Sequence, residues 1–211
     1  PRDDKGDYDF EALEAVDVEL FNDHLNRLLK GETVRIPRYN FITGKREFHE
    51  QPLQMEERSV LVIEGIHGLN PKLTPHVAAD MKFKIYVSAL TSIAMDNLNR
   101  IATTDSRLIR RIVRDHRTRG NSATDTLRRW ESVRRGEDKR SFPNQEQADV
   151  MFNSSLFYEL SVLKDYVRPL LREVPDTVPE FGEAHRLLKF LDHFTSMDRF
   201  EAEIPPTSIL R

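Results

Sequence analysis

The chain contains no cysteine. That excludes a disulfide framework, a thiolate zinc site and a cysteine nucleophile. No apolar run approaches the roughly 18 residues that a membrane helix requires. The opening residues, Pro1-Arg2-Asp3-Asp4, lack the charged and apolar blocks of a signal peptide. These absences argue for a cytoplasmic protein and against a membrane partner. Glycine is scarce, with 8 in 211 residues, at positions 6, 31, 44, 65, 68, 120, 136 and 182. Loops that wrap phosphate groups usually draw on more of them.

What is present can still build a core. Hydrophobic residues make up 38% of the chain and aromatics 9%, too much for global disorder. The length suits one sizeable domain or two small ones. The 32 basic and 35 acidic residues give a net charge of −3, but they are unevenly spread. Between Arg107 and Arg140 there are 12 Lys+Arg and 5 Asp+Glu, an excess of seven positive charges. The rest of the chain carries an excess of ten negative ones. A basic segment on an acidic body points to an anionic ligand, against the plainer reading of a solvated helical face.

Hydrophobic period then gives the elements. Phe10 to Leu29 reads as helix, broken near Asp17, which can cap its second part. Gly31 sits where a helix C-terminus wants it. Val34 to Phe48 alternates around Thr43-Gly44-Lys45 and reads as a hairpin. Ser59 to Gly65 holds four consecutive aliphatics, the pattern of a parallel strand buried on both faces. Phe83 to Val87 and Asp149 to Asn153 are further strands. Thr91–Ile101, Ser106–Arg117, Thr124–Arg135 and Leu156–Val174 read as helices, with Asp105 or Ser106 capping the second. Thr177 and Glu180 form a capping-box pattern for a last helix to about His193. Strand–helix alternation indicates an α/β fold with a mostly parallel sheet and flanking helices.

Three places are candidates for chemistry. Glu64 ends the strongest strand and precedes Gly65. Open α/β sheets bind ligands outside the carboxyl ends of their strands, and a hard oxygen donor there suits Mg²⁺. The run Arg110-Arg111-Ile112-Val113-Arg114-Asp115-His116-Arg117-Thr118-Arg119-Gly120 places Arg107, Arg111 and Arg114 on one helical face. Guanidinium groups match phosphate oxygens bidentately and keep their charge, so an arginine helix ending near Gly120 suits a phosphate-binding lid. A nucleic-acid strip is the rival; Trp130 is the one interleaved aromatic and the whole chain is acidic. Tyr39 and Phe41, at i and i+2 on the hairpin, share a strand face and either stack on a planar ligand or pack against the body. Among the histidines, His24 lies on an apolar helical stripe and reads as core, while His67 falls in the loop after Glu64 with its role open.

In their order and spacing these residues resemble the uridine kinase/phosphoribulokinase family of P-loop kinases. Ile36-Pro37-Arg38-Tyr39-Asn40-Phe41, Val60-Leu61-Val62-Ile63-Glu64-Gly65-Ile66 and Arg110 to Asp115 with Arg119-Gly120 carry the resemblance, from about Tyr8 to Phe152. Ser132–Glu137 and Ala148–Ser154 look like the bacterial subgroup whose kinase domain follows threonyl-tRNA-synthetase-like modules. The resemblance implies ATP-dependent phosphorylation of a nucleoside-like hydroxyl with Mg²⁺. It assigns Glu64 to the metal, Arg111, Arg114 and Arg119 to the ATP phosphates, and Asp9, Tyr39 and Phe41 to the substrate. It also implies a partial P-loop NTPase domain with a hairpin over 34–50, a helical lid over 104–140 and C-terminal helices and tail over 156–211.

The departures are specific. The family's base-reading histidine falls at Gly44, a lid arginine at Asn121 and a glutamine at Arg129, which points away from a strict pyrimidine pocket. No G-x-x-x-x-G-K-[ST] phosphate loop occurs; the one Gly-Lys pair, Gly44-Lys45, lies on the hairpin. The expectation is a chain that begins inside the domain, with the general-base aspartate upstream of Pro1, and that is inactive by itself. Rival readings are an anion-binding regulatory module without catalysis and a nucleic-acid-binding domain. A homo-oligomer is compatible with any of them.

Overall fold

A computed structural model describes residues 1–2, 6, 9, 11–40, 43–91, 93–197 and 202–210. The fold is mixed α/β: a parallel strand pair, an antiparallel hairpin and five α-helices among the described residues. It divides into two compact units, residues 1–86 with 136–150, and residues 87–135 with 151–211.

In the first unit, α1 (Val18–Leu29) starts where Asp17 predicts, the Asp17 carboxylate accepting from the Leu20 N–H at 3.1 Å. A short 3₁₀ turn, Leu13–Ala15, precedes it. Asn22, His24, Leu25 and Leu28 form the buried face of α1, and the Asn22 amide donates to the Leu73 carbonyl at 2.9 Å. Gly31 then takes a positive φ of 76°, a left-handed exit that glycine adopts without steric penalty. The hairpin pairs β1 (Pro37–Asn40) with β2 (Lys45–Phe48), Tyr39 lying opposite Arg46. A further antiparallel bridge between Val34 and Leu53 closes its base.

Residues 59–65 are not a strand. The segment pairs with no strand among the described residues. Val60 and Val62 are 86% and 84% exposed. A parallel strand gains its burial from neighbours on both edges and layers on both faces, and the described residues supply neither.

The parallel pair is β3 (Ile85–Ser88) and β4 (Val150–Asn153). The Lys84 carbonyl accepts from the Asp149 and Val150 amides at 2.9 and 3.3 Å, and the Ser88 carbonyl from Ser154 at 2.8 Å. Both chains therefore advance in the same direction.

The second unit is built on helices α2 (Thr103–Arg119), α3 (Ala123–Gly136), α4 (Glu159–Arg172) and α5 (Phe181–Leu191). Leu108, Ile109 and Ile112 of α2 join Val167 and Leu171 of α4 and Leu187 and Leu191 of α5 in one core. The last residue of α3, Gly136, falls with the first unit.

Four further expectations are corrected here. Residues 93–101 form a bent loop closed by an antiparallel bridge between Ala94 and Arg100 rather than a helix, because the Asp96 carboxylate accepts from the Leu98 and Asn99 amides at 2.8 and 2.7 Å. Such local bonds offer the backbone an alternative to the helix. Neither Asp105 nor Ser106 caps α2; its N-cap is Ala102, with Ser106 buried inside. Asp105 instead pairs with Arg186 of α5 at 2.8 and 2.9 Å. The Thr177/Glu180 capping box does not form, since Glu180 accepts from Arg128 at 2.9 Å and α5 begins only at Phe181. Leu156 to Tyr158 precede α4 instead of opening it.

Candidate functional site

Arg111, Arg114 and Arg119 come together. Apolar residues at 108, 109, 112 and 113 turn one side of α2 into the core, and the arginines are distributed around what remains. Asp115 belongs to the buried side, at 2% exposure. Its carboxylate is the common partner of all three. Arg111 Nε lies 3.3 Å from Oδ2, Arg114 NH2 2.9 Å from Oδ1 and Arg119 NH1 3.3 Å from Oδ1. Arg114 also donates through Nε at 3.0 Å. Three positive charges around one negative leave a local excess of two.

The end of α2 fixes this group. Gly120 takes a φ of 67° and donates its N–H to the Asp115 carbonyl, with Asn121 donating to the same oxygen at 3.2 Å. Cations near a helix C-terminus are favoured by the partial negative charge of its free carbonyls. Upstream, Arg110 donates to the Ser154 carbonyl at 2.7 Å and to the buried Glu159 carboxylate, and the Arg117 guanidinium lies 4.2 Å over the Tyr166 ring. These contacts hold α2 against the end of β4 and against α4. The arginine cluster thus sits on a helix whose other face is core.

The remaining candidates lie in the first unit. Asp9 is engaged, its carboxylate accepting both terminal nitrogens of Arg140, one at 3.1 Å, and the Glu11 amide at 3.2 Å. That guanidinium holds the Asp9 carboxyl below the usual aspartate range. Tyr39 is 52% exposed on β1. Its expected companion on the same face, Phe41, lies outside the described residues, and β1 ends at Asn40. Glu64 is exposed at the head of a loop that the Gly68 N–H to Gly65 carbonyl bond closes at 2.9 Å.

His67, whose role the sequence left open, is buried, with Nε2 3.0 Å from the Glu11 carbonyl. A carbonyl only accepts, so Nε2 carries the proton. This bond joins the loop after Glu64 to the segment that carries Asp9.

The donor sets can be tested against the groups that the resemblance implies. No cluster of three or more His, Asp or Glu with metal-site geometry occurs among the described residues. A single exposed carboxylate is nevertheless compatible with Mg²⁺, which keeps several waters and takes one or two carboxylates plus substrate phosphates. The arginine cluster has the charge and the forked donors that a polyphosphate requires. Sequence reasoning missed Asp115 and Arg140. The first was legible in the spacing, because Arg111, Asp115 and Arg119 are two successive i,i+4 steps along one helix line. The second was not, because 131 residues separate Arg140 from Asp9.

The α/β chain thus presents an arginine cluster from one helix end and an exposed carboxylate heading a loop. The model of the phosphoribulokinase/uridine kinase family matches residues 2–157, and the chain belongs to that family. It is 29% identical over 138 residues to a uridine kinase of Bacillus pumilus, covering 65% of this chain and 57% of that protein. It is 28% identical over 181 residues to a uridine kinase of Borrelia turicatae, covering 80% and 78%. It is 27% identical over 148 residues to uridine-cytidine kinase 2-B of Danio rerio, covering 70% and 50%. The chain spans about half the length of several of these relatives. No helix among the described residues is long and apolar enough to cross a membrane.

Proposed function

We propose that the protein takes part in ATP-dependent phosphoryl transfer to the hydroxyl of a nucleoside or related small molecule, with Mg²⁺. The observation that carries this reading is the convergence of Arg111, Arg114 and Arg119 at one helix end, in a chain of the phosphoribulokinase/uridine kinase family. Phosphoryl transfer depends on positioning and charge stabilisation more than on covalent chemistry by the protein. The arginines bind the ATP phosphates and orient them. Glu64 holds the metal, which when bound neutralises phosphate charge. Tyr39 and Phe41 serve the base or its equivalent, as the resemblance assigns them.

Asp9 receives the acceptor hydroxyl, and Arg140 keeps its carboxylate ionised. Gly44, where the family's base-reading histidine falls, leaves room for acceptors other than pyrimidine nucleosides. The alternative is a regulatory reading, in which the cluster binds nucleotide without turnover. With no G-x-x-x-x-G-K-[ST] among them, these 211 residues alone are expected to bind phosphates but not to turn over.

The test is ATP-dependent phosphorylation by the protein as its gene encodes it, across a panel of nucleosides and sugar alcohols. Turnover of at least one acceptor supports the kinase reading. ATP binding with no turnover of any acceptor supports the regulatory one. Arg114→Ala should lower kcat/KM for ATP by about tenfold or more, with little change in Tm, since the side chain is half-exposed.

A further inference from the structure

The three arginines are held by an acid that no phosphate contact requires. Asp115 is buried, and a buried carboxylate is costly unless it is paired and hydrogen-bonded. Here it is paired three times, by Arg111, Arg114 and Arg119. Two of these partners are surface residues, with Arg114 50% and Arg119 46% exposed in their side chains. A surface arginine ordinarily retains about 2 kcal/mol of rotamer entropy. At this helix end Arg114 is hydrogen-bonded, and Arg119 ion-paired at 3.3 Å, to a carboxylate anchored in the core. The fork of Arg114 is the tightest of the contacts, with Nε and NH2 both on Oδ1. The main-chain carbonyl of Asp115 itself accepts from Gly120 and Asn121, so one position fixes both the end of the helix and the spread of its arginines.

We infer that Asp115 is a positioning residue that preorders Arg111, Arg114 and Arg119 to receive a polyphosphate. This rests on the phosphate-binding reading of the cluster. Arg114 commits two of its five N–H groups to Asp115, Arg111 and Arg119 approach it as ion pairs at 3.3 Å, and the cluster keeps a net charge of plus two. The ordering cost is met on folding rather than on binding, which is how preorganisation raises affinity.

The proposal opposes simple electrostatics in sign. Removing a negative charge from a cationic site strengthens anion binding by Coulomb's law alone. Removing a positioning acid weakens it, because the arginines must then be ordered by the ligand. The experiment measures binding of inorganic tripolyphosphate to the wild-type protein and to Asp115→Asn, Arg114→Ala and Arg119→Ala, by calorimetry at low salt. Circular dichroism confirms folding of each variant.

Asp115→Asn should lose about five- to tenfold in affinity. Unchanged or tighter binding by Asp115→Asn, with Arg114→Ala and Arg119→Ala both weakened, overturns the positioning role and leaves the phosphate site standing. If the two arginine variants bind as the wild type does, the phosphate reading itself fails and the positioning role falls with it. Should Asp115→Asn not fold, the Nε–H signals of Arg114 and Arg119 in the ligand-free wild-type protein decide. Slow guanidinium rotation, unchanged by tripolyphosphate, supports preordering. Fast rotation that slows only when the anion is added overturns it.

Discussion

At the scale of single residues, long-range ion pairs separate what the sequence displayed from what it concealed. In the sequence Asp9 figured as a candidate substrate residue, and Arg140 fell in a basic run that suggested only a ligand surface. Folding joins them in a two-armed ion pair in which neither side chain is more than 21% exposed. The Asp9 carboxyl is held below its unfolded value, first by hydrogen bonding to Arg140. A depressed acid contributes stability that is present above its unfolded pKa, about 4, and lost as pH falls through the folded value. Arg140→Gln should therefore lower stability by about 1–3 kcal/mol at pH 7. The difference between variant and wild type should shrink as pH falls below about 4 and through the lower value at which Asp9 protonates in the wild type. Urea titrations at pH 7, 5 and 3.5 check this, and an equal difference at all three pH values would contradict the assignment. By contrast, Asp17, Gly31 and Gly120 were legible, because a cap or a left-handed exit is a local property of a few neighbouring residues.

At the scale of elements, helices were read better than strands. Helix α1 and helix α2 follow from apolar spacing that each segment carries within itself. Segment 59–65 could not be read this way. Its run Val60-Leu61-Val62-Ile63 states only that the segment is apolar, while strand formation depends on partners elsewhere in the chain. The bent loop at 93–101 departs from the expected helix for a related reason: helical spacing is present, but the Asp96 side chain captures the Leu98 and Asn99 amides. Helix α3 shows the opposite case. Ser122-x-x-Asp125 is a reciprocal cap, with the Asp125 N–H donating to Ser122 Oγ at 3.1 Å and the Ser122 N–H donating to Asp125 Oδ2 at 3.3 Å. The pattern lay in plain view just before the expected helix. Ser122→Ala should cost about 1 kcal/mol, and Ser122→Gly less, because alanine removes the cap and glycine at that position retains backbone freedom. Chemical denaturation of the two variants ranks them; a smaller loss for alanine would argue that Ser122 does not cap α3.

At the scale of the whole molecule, apolar burial is uneven between the two units. In the second, Leu108, Ile109, Val167, Leu171, Leu187 and Leu191 are almost completely hidden. In the first, Val60, Val62 and Phe83 are largely exposed, and the hairpin strands are four residues each. Local opening follows buried apolar contact and protected backbone hydrogen bonds. Amide exchange should therefore be slowest in residues 160–171 and 184–191. Residues 59–66, whose amides join no described ladder, should exchange near the rate of an unstructured chain. Leu187→Ala, at 0% exposure, should cost about 2–5 kcal/mol and should speed exchange across α2, α4 and α5 together, because they share one core. Hydrogen-exchange mass spectrometry of the wild type and of Leu187→Ala reads both effects. Strong protection over residues 59–66 in the wild type would mean that the apolar segment finds strand partners, and would restore the buried strand that its composition first implied.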